Sequence, residues 1–408
     1  MFNRIVSMFE SVVLAITLFF SQLGAVFYMP AAKDVRALME KTGGFVFGVC
    51  HPVDGEYDDL GELGVGWVRF DIPYPFNSGG GISQSYINFK NRCKGYVDNG
   101  FKVMAITPYP KDYFSIGGFD PVAEENQQRT KDIAVFLIND LRGLVSGIQV
   151  TNEMGIDTFT YPLTLQQAAV FVGIQLEALN DVKGDIIVGY NTAGLNLDFH
   201  RMLKPYYKYC DYVGLDLYDT GSSYEYTKRM RKIYRMTRKP IMVQEFGYKS
   251  AGQPKTEEEK LEILRGYGYG SEAEAAADIE NFVSKLPANF QQRIKEYSQD
   301  PADWAEYIFV NNASHFYREL SGSLYLDCEH TPEGQAKYFA DLMPALLKEP
   351  YLAGLTVYCC RDSYACWFCG FEGCPHETCW GLTDVNGVKK PSFYAVQKVI
   401  SDYNSGVS

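Results

Sequence analysis

Two short stretches, SGIQVTNE at residues 146–153 and KPIMVQEFG at residues 239–247, decide the fold of this chain. Each is an apolar run with a glutamate at or near its end, and neither alternates polar with apolar residues. Continuous apolar runs of this length are typical of strands that are buried on both faces, as in a parallel sheet. The two stretches therefore predict parallel strands whose carboxyl ends carry an acidic side chain.

Six further runs of the same kind lie around these two stretches. They are residues 44–50, 65–71, 101–109, 185–191, 211–218 and 352–360. Amphipathic stretches lie between them, such as 164–181, where Thr164 is a helix-start signal. An open doubly wound sheet is the main rival, but no G-x-G-x-x-G follows the first strand. Eight strands that alternate with helices predict an α/β fold, a (β/α)8 TIM barrel over residues 41–405.

The alternation of strands and helices is interrupted once, between the seventh strand and the following helix. Residues 248–330 occupy this interval and contain their own helical patterns. The position predicts an insertion in the strand 7 to helix 7 loop, at the face of the barrel that carries catalytic groups. The sequence leaves open whether the insertion is a lid, a substrate-binding subdomain or a decoration without a role in the chemistry.

The composition of the 408 residues limits the classes of partner. The chain has 38 Lys and Arg against 50 Asp and Glu, a formal net charge of −12. A chain this acidic, with no basic tract, is repelled by phosphate backbones, so no nucleic-acid partner is predicted. Aromatic residues make up 15% of the chain. They indicate either a well-packed core or a cleft that stacks flat ligands such as sugar rings, and composition does not choose between these.

The amino terminus contains the one long apolar run of the sequence. This run covers residues 11–29 and follows Arg4. A weakly basic start and an apolar middle are typical of a secretory signal, and the run is also long enough to span a bilayer. An apolar helix packed under the first domain is the alternative. We predict that residues 1–30 are a signal peptide or a membrane anchor, that the protein is secreted or on the cell surface, and that it meets the membrane only through this segment.

The glutamates Glu153 and Glu245 are the strongest candidates for catalytic groups. Because catalytic groups in such barrels lie at the carboxyl ends of strands, strands four and seven bring this pair to one barrel mouth. A lone glutamate is better interpreted as a structural residue. Two carboxylates that flank a cleft, however, are what glycoside hydrolysis requires: one protonates the departing oxygen, and the other attacks the anomeric carbon or activates water.

With these residues the chain resembles clan A of the glycoside hydrolases, a set of retaining (β/α)8-barrel enzymes that includes family 5. The resemblance rests on Asn152-Glu153 at the end of strand four and on Glu245 in VQEFG at the end of strand seven. It is supported by Arg69 in LGVGWVRFD, which ends strand two, and by Tyr218 in GLDLY, which ends strand six. It implies that Glu153 is the general acid/base and Glu245 the nucleophile. It also implies that Asn152 binds the sugar hydroxyl beside the anomeric carbon, that Arg69 keeps the nucleophile ionised, and that Tyr218 hydrogen-bonds to it. A carbohydrate substrate and no required cofactor follow from the same resemblance.

Departures from the family pattern leave the exact family and the sugar open. Met154 follows Glu153 where family 5 enzymes usually have proline, Asp216 stands where many relatives carry histidine, and Tyr358 stands where a tryptophan is usual. His51, which follows the first strand, is interpreted as a structural histidine.

Aromatic residues at or beyond the strand ends are the predicted contacts to sugar rings. They are Tyr109, Tyr218, Tyr358, Trp367 and Trp380. A catalytically inactive barrel that binds carbohydrate or a protein partner is the alternative function, because a fold does not by itself imply an activity.

The loop after strand eight, residues 359–380, holds six of the ten cysteines. Four thiols in it could surround a structural zinc ion. They are Cys366, Cys369, Cys374 and Cys379, with His376 as a spare ligand. Because zinc motifs usually have a longer gap between their cysteine pairs, the sequence favours disulfides that stiffen the loop of an exported protein. The predicted role is structural in both cases.

Overall fold

The computed structural model of the chain describes residues 32–218, 223–320 and 328–406. The predicted leader over residues 1–30 lies outside these ranges and stays a prediction. Across the three described ranges, no helix combines the length and the apolar character that a membrane crossing needs.

Eight parallel strands form a closed barrel in chain order, and the last strand pairs with the first. The strands are β1 (Val46–Cys50), β2 (Trp67–Asp71), β3 (Lys102–Ile106), β4 (Gly147–Val150), β5 (Ile187–Ala193), β6 (Tyr212–Leu217), β7 (Ile241–Phe246) and β8 (Leu352–Val357). Nearly all of their residues are buried. The strands contact other elements on both faces, which explains the continuous apolar runs. The predicted (β/α)8 barrel is confirmed.

Helices alternate with the strands and also fill the interval after β7. The helices of the described ranges are α1 (Lys33–Thr42), α2 (Tyr57–Leu63), α3 (Gln84–Asp98), α4 (Pro110–Ser115), α5 (Gln127–Asp140), α6 (Asp157–Thr160), α7 (Leu165–Asn180), α8 (Leu197–Met202), α9 (Ser223–Thr237), α10 (Glu257–Gly266), α11 (Glu272–Ala277), α12 (Ile279–Ser284), α13 (Ala288–Tyr297), α14 (Trp304–Glu306), α15 (Ala313–Tyr317), α16 (Pro332–Leu347) and α17 (Pro391–Asn404). Thr164 begins α7 with a capping box: its hydroxyl accepts from the Gln167 N–H, and the Gln167 side chain accepts from the Thr164 N–H.

Two predicted site residues lie at other places relative to their strands than predicted. β4 ends at Val150, so Glu153 lies in the loop after the strand instead of at its end. Arg69 lies inside β2, not at its end. Because Arg69 is 1% exposed and its guanidinium reaches residues of two other strands, it fills the barrel interior below the mouth.

Two apolar cores position the site. The larger core lies between the barrel strands and their helices and contains residues such as Phe171 and Leu215. A second core lies within α10–α15 and contains Phe282 and Phe316. Phe371 and three cysteines from the loop after β8 belong to this second core. The helices α10–α15 therefore form one unit, here called the insertion unit, and the loop after β8 packs against it.

Candidate active site

A buried arginine organises the barrel mouth. Arg69 donates from Nη1 to Glu245 Oε1 at 2.7 Å, from Nη2 to Asn152 Oδ1 at 2.6 Å, and from Nε to Gln149 Oε1 at 2.8 Å. A buried charge is tolerated where an opposite charge and hydrogen-bond acceptors surround it. The guanidinium meets this condition and links β2, β7 and the β4 segment in one network.

Glu245 is held through both carboxylate oxygens. Oε1 accepts from Arg69, and Oε2 accepts from the hydroxyl of Tyr218, the residue that directly follows β6. The carboxylate is 5% exposed, so these partners define its orientation. The structure therefore brings together Glu245, Arg69 and Tyr218.

Glu153 is presented by an unusual backbone after β4. Thr151 and Glu153 both have left-handed backbone angles, with φ of 57° and 49°. Such conformations cost on the order of 1–3 kcal/mol each and persist where the surroundings enforce them. The Thr107 hydroxyl accepts from the Thr151 N–H at 3.0 Å, and Asn191 Oδ1 accepts from the Glu153 N–H at 2.9 Å. The loop is thus held in a shape that places Glu153 at the mouth.

Three carboxyl groups converge beside the single guanidinium of Arg69. Glu153, Asp216 and Glu245 each contribute one oxygen to a group whose atoms lie within 4.8 Å of one another. Burial, followed by the negative charge of Glu245, raises the pKa of Glu153 to about 8. Burial, followed by the charges of Glu245 and Glu153, also raises the pKa of Asp216 well above its ordinary value. With a pKa of about 8, Glu153 is mostly protonated at neutral pH.

Asn152 is oriented by three donors that converge on its Oδ1. Arg69 donates at 2.6 Å, Gln149 Nε2 at 2.9 Å and Asn191 Nδ2 at 2.7 Å. Asn191 Nδ2 also donates to Asp216 Oδ2 at 2.7 Å. Because these donors occupy the carbonyl side of the amide, Nδ2 of Asn152 is directed away from them.

Three aromatic rings form a wall beside Glu245. The Tyr218 ring centroid lies 4.9 Å from that of Trp380 and 5.5 Å from that of Tyr358, and the last two rings are 5.8 Å apart. This aromatic wall, Tyr218, Tyr358 and Trp380, contains three of the five predicted sugar contacts.

The other two predicted sugar contacts lie apart from the aromatic wall. Tyr109 donates its hydroxyl to Asp71 Oδ1 at 3.0 Å, and its pKa is raised by burial and then by the charge of Asp71. Trp367 is 50% exposed. It packs against Phe368 of the same loop and against Arg293 of the insertion unit. Contact of Tyr109 and Trp367 with a sugar stays a prediction.

Three further residues of the mouth were not assigned to the site from the sequence. Asn191 ends the run predicted for β5, so the strand-end rule that found Glu245 also identifies it. Gln149 is the polar residue within the apolar run of β4, and this break in the apolar pattern could have identified it as a residue of the site. His51, interpreted as structural, packs edge-on against Tyr358, with 5.5 Å between the ring centroids.

The prediction for the cysteine loop is corrected in two respects. All ten cysteines lie in the described ranges, and no disulfide joins any two of them. Three of the predicted thiols do converge, but with a histidine from the insertion unit as the fourth group. The converging side chains are Cys366, Cys369, Cys374 and His315. Cys379 is wrong as the fourth member because its thiol donates to the Pro375 carbonyl at 3.2 Å instead.

Comparisons with known proteins find similarity in structure alone. No protein-family model and no curated protein sequence matches the chain. Similar solved structures include native xylanase 10B from Thermotoga maritima (14% identity, 91% of this chain and 99% of that chain, TM-score 0.57), GH5_18 from Streptomyces cattleya (15%, 89% and 81%, 0.54) and the GH53 catalytic domain from Ignisphaera aggregans (17%, 92% and 96%, 0.52). These neighbours are clan A glycoside hydrolases, the group that the sequence resembles. At these identities the likeness establishes the shared fold.

Proposed function

We propose that this protein is a retaining glycoside hydrolase that cleaves β-glycosidic bonds of oligosaccharides or polysaccharides. The observation that carries the proposal is the geometry of Glu153 and Glu245, whose carboxyl oxygens approach within 4.8 Å. Retaining enzymes place their two carboxyl groups about 5–5.5 Å apart, whereas inverting enzymes need about 6.5–9.5 Å to admit a water molecule. The observed approach favours direct attack by one of the carboxylates.

The environments of the two glutamates divide the roles between them. Glu245, held by Arg69 and Tyr218, attacks the anomeric carbon with one oxygen. Glu153, whose pKa is raised to about 8, gives its proton to the departing glycosidic oxygen. The bond between the anomeric carbon and that oxygen breaks as the new ester bond to Glu245 forms.

The second half of the reaction restores both glutamates. Glu153, now ionised, takes a proton from a water molecule, and the water oxygen attacks the anomeric carbon. The ester bond to Glu245 breaks, and its electron pair returns to the carboxylate. Two displacements at one carbon retain its configuration, and no cofactor enters either step.

The remaining residues of the mouth bind the sugar in this proposal. Nδ2 of Asn152, directed away from the donors on Oδ1, donates to the hydroxyl beside the anomeric carbon. The aromatic wall of Tyr218, Tyr358 and Trp380 stacks against a sugar ring, because apolar ring faces of sugars pack on aromatic side chains. Tyr109 and Trp367 are proposed as further contacts along the substrate.

Hydrolysis of a panel of aryl β-glycosides and plant polysaccharides tests the proposal. We expect Glu153→Gln to lower kcat/KM by about 10²- to 10⁴-fold on substrates whose leaving group needs protonation. Glu245→Gln should remove activity on every substrate. Glu257→Gln is the matched control, because this α10 side chain is 94% exposed. Wild-type activity in Glu245→Gln would refute the assignment, and sugar binding without hydrolysis by the wild type would favour the inactive barrel.

Leaving-group dependence separates the acid from the nucleophile. A dinitrophenolate leaves without protonation, so Glu153→Gln should lose much less activity on dinitrophenyl glycosides than on methylumbelliferyl glycosides. Glu245→Gln should lose activity equally on both. An equal loss in Glu153→Gln would contradict the role of Glu153 as the proton donor.

A further inference from the structure

Four soft donor atoms meet where the insertion unit contacts the loop after β8. His315 in α15 supplies an imidazole nitrogen, and Cys366, Cys369 and Cys374 supply their sulfur atoms; all lie within 4.8 Å of one another. His315 Nδ1 is 3.6 Å from Cys374 Sγ. The three thiols are at most 1% exposed, so the cluster is closed to solvent on the cysteine side.

The backbone around the first two cysteines fixes the positions of their sulfur atoms. An antiparallel bridge at Ala365 and Glu372 closes a tight hairpin. Within it, the Cys369 N–H donates to the Cys366 sulfur, and the Phe371 N–H donates to the Cys369 sulfur. Two of the four donor atoms are therefore held in place by the backbone of one hairpin.

The histidine is held by two rings that stack on it. The centroid of the His315 ring lies 4.6 Å from that of Phe368 and 3.9 Å from that of His376, with interplanar angles of 29° and 25°. His376 in turn has Nε2 at 3.1 Å from the Glu319 carbonyl oxygen, so this predicted spare ligand holds His315 in place instead of joining the cluster. A donor held by its neighbours loses little freedom on binding an ion.

We propose that His315, Cys366, Cys369 and Cys374 bind a structural zinc ion. Three thiolates and one imidazole form one of the ligand sets of closed, tetrahedral zinc sites. Zinc–sulfur bonds of about 2.3 Å place tetrahedral neighbours roughly 3.8 Å apart, so atoms already within 4.8 Å need small side-chain movements.

The proposed ion lies at the end of a chain of contacts that reaches the candidate nucleophile. The His376 carbonyl accepts from Trp380 Nε1 at 3.0 Å, and Trp380 packs on Tyr218, which donates to Glu245. Zinc would therefore fix the aromatic wall by joining α15 to the loop after β8. Zinc binding itself is independent of the proposed glycosidase activity.

Metal content of the full chain, purified without chelator, tests the proposal directly. We expect about one zinc per chain, as in structural sites with four ligands. Cys369→Ser and His315→Ala should lose most of this zinc, whereas His315→Cys, which restores a fourth ligand, should retain it. Cys379→Ser is the matched control, a buried thiol of the same loop outside the cluster, and should keep full occupancy. Loss of zinc in Cys379→Ser equal to that in Cys369→Ser would overturn the assignment.

Two measurements on the wild type keep the test valid if the variants fail to fold. Release of zinc by a mercurial, followed with a chromophoric chelator, should yield about one ion per chain. Substitution of cobalt for zinc should give a thiolate charge-transfer band and the d–d absorption of a tetrahedral site. A chain without zinc, in which thiol titration reveals disulfides within 366–374, would refute the site. No substrate is used, so these results do not depend on whether the glycosidase proposal holds.

Discussion

The barrel mouth and the insertion unit lie side by side but are held together by different forces. At the mouth, one buried guanidinium joins Glu245, Asn152 and Gln149, and three carboxyl groups share the space. The insertion unit has an apolar core around Phe282 and a cluster of soft ligands. The barrel mouth therefore concentrates buried charge where chemistry is proposed, whereas the insertion unit is held together by apolar packing.

The largest effect is expected when the network at the mouth loses its cation. Arg69→Met leaves Glu245 buried without its ion pair, and removal of one partner of a buried pair costs about 3–5 kcal/mol. Denaturant unfolding should show this loss together with loss of activity. The double variant with Glu245→Gln should be less destabilised than the sum of the single variants. A cost below about 1 kcal/mol would show that the network does not stabilise the mouth.

A substitution in each apolar core tests whether the two regions are separate cooperative units. Phe282 and Phe171 are both 0% exposed, and loss of either ring costs about 3 kcal/mol. In hydrogen exchange, Phe282→Ala should weaken protection in α10–α15 and leave the barrel strands protected, whereas Phe171→Ala should weaken the barrel. Equal loss of protection throughout the chain in both variants would mean that a single core unites them.

The pH dependence of the free energy of unfolding, compared between the wild type and Glu153→Gln, tests the raised pKa of Glu153. Its pKa in the folded protein is raised from 4.5 to about 8, so folding favours the protonated form. The contribution of Glu153 is most favourable below its unfolded pKa and is lost as pH rises from about 4.5 to about 8, by at most about 1.4 kcal/mol per pH unit. Relative to Glu153→Gln, the wild type should therefore become less stable over this window. A difference that does not change with pH would contradict the raised pKa.

The smallest effect is expected outside the aromatic wall. Tyr109→Phe removes the hydroxyl that donates to Asp71 and should cost about 1 kcal/mol. We expect less than a tenfold change in kcat/KM, because the ring keeps its stacking on Phe159. A much larger loss would place Tyr109 within the catalytic network together with Arg69.

The barrel and its two glutamates were predictable because local patterns encode them. A strand buried on both faces is apolar along its length, so the sequence pattern predicts β4 and β7. In a (β/α)8 barrel, the carboxyl ends of all strands lie at one mouth, which brings the two glutamates together. The position of Arg69 inside β2 was not predicted, because a charged residue within a strand is stable only through partners on other strands.

The cluster of His315, Cys366, Cys369 and Cys374 could be predicted only in part from the sequence. Cys366, Cys369 and Cys374 are close in sequence, and a zinc site that contains them was the alternative to the favoured disulfides. His315 lies far from them along the chain and meets them only because the insertion unit packs on the loop after β8. Cys379 lies close to them in the sequence, but its thiol donates to the Pro375 carbonyl. Long-range packing, which spacing does not encode, selected the fourth group.

In the proposed mechanism, Glu245 forms a covalent bond to the sugar, while Glu153 first donates and then accepts the proton. An activated 2-deoxy-2-fluoro β-glycoside, with the sugar chosen as the best substrate of the aryl panel, slows the second step more than the first and traps the intermediate. Peptide mass spectrometry of the inactivated protein should find one sugar attached to Glu245. Attachment of the sugar to another residue would contradict the role of Glu245 as the nucleophile. Steady hydrolysis without a trapped intermediate, with inverted configuration of the product, would contradict the retaining mechanism.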